Sequence, residues 1–142
     1  MKKLTFLLVL GFCSFSSFGN NTTFLKCSTV GNDIKSVSAN IDAAIGSDHK
    51  RLKITVEHQN NKVDLFYPRI ANDVLINSAF SRSMTIIADL TSNSETDANS
   101  IKRLVLDISK DSGSLIALRE GERSIRSEVI KLDNELTCKW IM

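Results

Sequence analysis

The sequence predicts an all-β domain: a small antiparallel β-barrel or sandwich of about eight strands, first and last joined by a disulfide, with room for one short helix. Three observations carry this. Short segments alternate apolar and polar residues with period two, as half-buried strands do. Polar turns containing Asn or Gly separate them at intervals of about 8 to 14 residues, a spacing typical of small β-domains. Cys27 lies in the first such segment and Cys138 in the last.

The chain opens MKKLTFLLVLGFCSFSSFGNN. Two lysines, an apolar run from Leu4 to Phe12 and a small polar stretch have the layout of a secretory signal peptide, with cleavage expected after Gly19. The run is too short to span a bilayer, which takes about 20 apolar residues. A lipoprotein-type cleavage before Cys13 requires a small residue there, and Phe12 is large. Residues 1–19 therefore read as a cleaved leader and residues 20–142 as a single β-rich domain, periplasmic or secreted, with no stable membrane insertion after cleavage.

Removing the leader changes the charge and the cysteine arithmetic. The chain has 18 basic and 16 acidic residues; Lys2 and Lys3 leave with the leader, so the expected mature chain is net neutral. A neutral chain has no overall field to draw it to nucleic acid. Of the three cysteines, Cys13 leaves, and Cys27 and Cys138 remain. In an oxidising compartment two cysteines pair, which would tie the first strand to the last.

The strands follow in order. FLKCST places Leu25 and Cys27 on one face, and SVSANI places Val37, Ala39 and Ile41 together. RLKITVEH, with Leu52, Ile54 and Val56 inward, is the cleanest. KVDLFY is expected to bury Val63, Leu65 and Tyr67 against Asp64 and Phe66, and HQNNK before it is an asparagine-rich turn. NIDAAIGSD has the makings of a helical turn. PRIANDVLINSAF competes for a short helix with Ile70, Val74 and Asn77 on one face. SMTIIADL, RLVLDIS and SLIAL read as strands, followed by one near Val129 to Leu132 and a last one, LTCKW, in which Leu136, Cys138 and Trp140 share a face. Between them TSNSETDANS reads as a long exposed loop. Gly113 in SKDSGS and Gly121 in REGE stand where hairpins need positive φ.

No catalytic or cofactor signature appears. There is no G-x-S-x-G elbow and no close cysteine pair of the kind that marks zinc sites. His49 and His58, at opposite ends of one strand, read as surface histidines. The architecture is similar to small periplasmic lysozyme inhibitors, but DSGSLIAL lacks the tyrosine of their S-G-x-x-Y loop, and membership is not assigned. The densest charges are Lys50 and Arg51 in HKRLK and Arg119, Arg123 and Arg126 in REGERSIR, the candidate partner-facing residues. The expected function is a non-enzymatic binding domain for a protein partner, inhibitor-like, or for a small ligand. It needs no cofactor and no metal. The competing expectations are a hydrolase of an envelope polymer and a structural subunit of a surface assembly.

Overall fold

The computed structural model of the chain describes residues 22–42, 48–89, 101–120 and 127–141. The expected leader, the segment 43–47, the loop Thr91–Ser100, Gly121, Arg123 and Arg126 lie outside the described residues. Among the described residues nine strands and one helix follow in order: β1 (Thr22–Ser28), β2 (Ile34–Asp42), β3 (His49–His58), β4 (Val63–Phe66), β5 (Arg69–Ala71), α1 (Asn72–Ser81), β6 (Ser83–Asp89), β7 (Ile101–Ser109), β8 (Ser112–Glu120) and β9 (Ser127–Trp140). All pairings are antiparallel, in the order β4-β3-β2-β1-β9-β8-β7-β6, with β5 continuing the far edge of β3. The sheet curls into a nearly closed eight-strand barrel.

This order contains two four-strand meanders, one from each half of the chain, joined where β1 meets β9. Cys27 and Cys138 are register partners in that pairing and form the expected disulfide. The covalent link is thus at the middle of the rolled sheet. The seam is elsewhere, between β4 and β6, which no ladder joins.

Alternation fills the barrel. Leu52, Ile54 and Val56 of β3, Leu104, Leu106 and Ile108 of β7, and Leu115 and Ala117 of β8 are buried, with Phe24, Leu25, Ile34 and Phe66 among them. Apolar side chains occupy the interior of this small barrel, as closure of eight strands demands.

Five local expectations change. In β4 the inward residues are Asp64 and Phe66, while Val63 is exposed and Leu65 and Tyr67 are half-buried. Register decides this: Phe66 pairs with Ile54 and Asp64 with Val56, both inward on β3. The helix exists, but it buries Leu75 and Ser78, leaving Val74 and Asn77 exposed. The two last strands are one, β9, bent where Asp133–Glu135 bulge opposite Ser114; Asn134 takes φ +54 and its N–H donates to Ser114 Oγ at 2.9 Å. Finally, the β7–β8 hairpin places its positive φ at Lys110, not at Gly113. Gly113 is needed for space: a Cβ there would lie 2.5 Å from Ile108 Cδ1 and 3.2 Å from Cys138 Sγ. The segment Asn40–Asp42 is strand, not the start of a helical turn.

Candidate functional site

Strand register sorts the connections onto two rims. One rim carries the start of β1, the end of β9, the β7–β8 turn, helix α1 and the start of β6. Here a cavity of about 470 Å³ is lined by Phe80, Ser81, Arg82, Lys110, Asp111, Cys138, Lys139 and Trp140. Three segments distant in sequence build it. Helix α1 ends at Arg82, in the left-handed conformation (φ 52, ψ 41), with its N–H donated to Ser78 O. Lys110, the first central residue of a two-residue hairpin, has φ +57 and donates its N–H to Arg82 O at 2.6 Å. The Trp140 indole N–H donates to Lys110 O at 2.7 Å, and the Cys138 N–H donates to Asp111 O at 2.7 Å. The Trp140 ring in turn packs 6.3 Å from that of the buried Phe24. The turn that presents Lys110 is therefore fixed on three sides.

Both left-handed positions are ones where Gly or Asn is least strained. Each carries a long cation instead. A third cation, Lys139, stands directly opposite Lys26 in the β1–β9 ladder, and like charges so placed repel. No described carboxylate lies within ion-pair distance of Arg82, Lys110, Lys139 or Lys26. Local conformation and cross-strand electrostatics both oppose these residues, and no ion pair within the described chain offsets either.

Two further depressions adjoin this cleft. One, of about 410 Å³, shares Cys138 and Lys139 with it and adds Lys26, Ser28, Thr137 and Ile141. The other, also about 470 Å³, shares Phe80 and is otherwise apolar: Ile41, Leu75, Ile76 and Ala79. Phe80, 87% exposed, is the wall between the apolar groove and the cationic cleft.

The opposite rim holds a different group. His58 is buried, contrary to the expectation of a surface histidine; His49 is exposed. The His58 Nε2 lies 2.8 Å from Asp64 Oδ2, and the Ile101 backbone N–H donates to the same oxygen at 3.2 Å. Burial pushes the Asp64 carboxyl up. The hydrogen bonds from His58 and Ile101, with Lys62 nearby, outweigh burial and hold it below its ordinary value. An ionised carboxylate only accepts, so Nε2 carries the proton. This cluster links β3, β4 and β7 across the seam where backbone pairing is missing. His58 also lines a cavity of about 380 Å³ with Asp33, Gln59, Asn60, Lys62 and Arg119.

The charges singled out in the sequence are divided between the rims. Lys50 and Arg51, at the start of β3, pair with Ile70 and Arg69 of β5 on the α1 rim, and the Arg51 guanidinium lies 5.0 Å over the Tyr67 ring. Arg119 is on the far rim, its side chain only 16% exposed, 3.4 Å from Glu128 and 3.8 Å from Asp33. Arg123 and Arg126 fall outside the described residues. Arg82, Lys110, Lys139, Lys26 and Phe80 were not marked by sequence reasoning. The available signal was a lysine at the hairpin position and an arginine at the end of a helix, each where glycine is favoured.

Among the described residues no group of three His, Cys, Asp or Glu side chains is placed to hold a metal, and no helix is long and apolar enough to cross a membrane. Comparison with protein-family models, curated proteins and solved structures found no match for the chain.

Proposed function

We propose that this chain is an exported, non-enzymatic binding domain, periplasmic or secreted, that docks a protein partner on the cationic cleft beside its disulfide. One observation carries the reading: Arg82, Lys110 and Lys139 converge around exposed Phe80 without ion-pair partners among the described residues, two of them in left-handed conformations that cost stability. A surface kept at such a cost implies a use. The filled barrel argues against a ligand held along its axis, which favours the protein partner over the small ligand. Export supplies the oxidising compartment that the Cys27–Cys138 bond needs.

The test is photo-crosslinking in envelope extract, with the probe at Ser81 beside the cleft, comparing the native protein with Lys110→Glu/Lys139→Glu. Both lysines are exposed and make no ion pair among the described residues, so the variant retains the fold. A discrete adduct lost on charge reversal, and weakened by salt, is the expected result. An adduct indifferent to the reversal would reject the cleft as the docking site.

His58 and Asp64 support a second reading, a hydrolase of an envelope polymer in which a histidine oriented by a carboxylate activates water. Against it, no described Ser, Thr or Cys lines that cavity, and the Asp64 oxygen also holds the Ile101 amide. Incubating the protein with cell-wall polymer and measuring released reducing ends separates the two. Release that His58→Gln abolishes in a folded protein would establish the hydrolase.

A further inference from the structure

Resting on the docking role just proposed, we infer the chemistry of the partner: a short acidic segment of a protein chain carrying one large apolar side chain as its anchor. The continuity of the surface points to it. The apolar groove of Ile41, Leu75, Ile76 and Ala79 ends at Phe80, and on the other face of Phe80 the cleft of Arg82, Lys110 and Lys139 begins. Beyond Lys139 the surface continues to Lys26. Among the described residues four cations are met along this path, and one carboxylate, Asp111.

A ligand complementary to that sequence of surfaces has an apolar group at one end and several negative charges after it. The groove, at about 470 Å³, accommodates a Leu, Phe or Met side chain with space around it. Burying that side chain against Ile76 and Phe80 removes apolar surface from water on both partners. Carboxylates following it meet cations that make no direct ion pair among the described residues, Lys26 being influenced by Glu57 only at longer range, and they relieve the Lys26–Lys139 repulsion. The anchor gives residence, and the charges give steering and register. The concave shape favours one protruding side chain over a membrane, which would meet protruding apolar residues better than a groove.

Selection of a randomised dodecapeptide library against the disulfide-bonded protein tests this. Parallel selections use Phe80→Ser, Ile76→Ser and Lys110→Glu/Lys139→Glu. Phe80 and Ile76 are exposed, so these changes leave the core intact. The expected winners carry two or more Asp or Glu beside a single Leu, Phe, Ile or Met. A synthetic winner should bind the Phe80→Ser and Ile76→Ser proteins about tenfold more weakly, the scale of one lost apolar contact. Its own anchor-to-Ser version should lose as much. Acidic winners without an anchor, indifferent to Phe80 and Ile76, would overturn the inference and leave the cationic docking site standing. Winners unaffected by the lysine reversal, or no enrichment over that variant, would overturn both. Binding to phosphatidylglycerol vesicles that needs Phe80, with no peptide enriched, would replace the peptide by a lipid surface.

Discussion

Asp64 has to be an anion for its site to work. Its carboxylate receives the His58 ring and the Ile101 amide in a setting where both donors are shut away from water. The folded pKa lies below the unfolded one, so this group stabilises the fold above the unfolded value of about 3.9. That contribution is lost as pH falls toward the folded pKa. Asp64→Ala should cost about 3 kcal/mol in urea unfolding at pH 7, because two buried donors lose their acceptor. The loss should shrink as pH falls through the folded pKa, below the ordinary carboxylate value, where the native protein also gives up the anion. Gly113 is constrained by contact. Gly113→Ala should destabilise by about 1–3 kcal/mol, since the added methyl must displace Ile108 beside the disulfide. Sequence reasoning marked Gly113 as special for the wrong cause. The crowding comes from Ile108, Asp107 and Cys138, the last of which is remote in the chain.

Elements differ in how much of their orientation is local. Strand β3 was legible because Leu52, Ile54 and Val56 alternate without exception with polar neighbours. Strand β4 was not: Val63, Leu65 and Tyr67 outnumber Phe66, and the residue that breaks the tie, a buried aspartate, is tolerated only because His58 and Ile101 are in place. Helix α1 has apolar residues on all sides, so its sequence did not say that Leu75 goes in while Ile76 and Phe80 stay out. The cleft was missed for a similar reason. Dense charge runs are visible in a sequence, whereas Lys26, Arg82, Lys110 and Lys139 are single residues brought together by strand ends. At this scale the hairpin offers a test of the trade between stability and use. Lys110→Gly removes a side chain from a left-handed residue and should stabilise the protein by about 1 kcal/mol in thermal or urea unfolding. The same change should weaken partner adducts in crosslinking. A stabilised protein with undiminished adducts would free Lys110 from any docking role.

For the molecule as a whole, stability is shared between a covalent tie and a seam. Cys138→Ala opens a loop of 111 residues, worth up to about 4–5 kcal/mol in the chain-entropy model and often less when measured. The loss should appear in oxidising buffer and vanish when the native protein is itself reduced. Mass spectrometry of the exported protein is expected to find residues 1 to about 19 removed; a retained leader would contradict export by this route. The location of the disulfide has one more consequence. Read in spatial order from β6 through β9 and on from β1 to β4, the eight strands form an up-and-down meander with one connection missing from the backbone, and the cystine supplies it. The domain is therefore a natural candidate for circular permutation. A short linker from Ile141 to Thr22, whose neighbours already meet through the Ile141 N–H and Phe24 O, would let the chain begin at β6 and end at α1. In such a permutant the same two cysteines close only a short loop, so removing their bond should cost about 1–2 kcal/mol less than in the native connectivity.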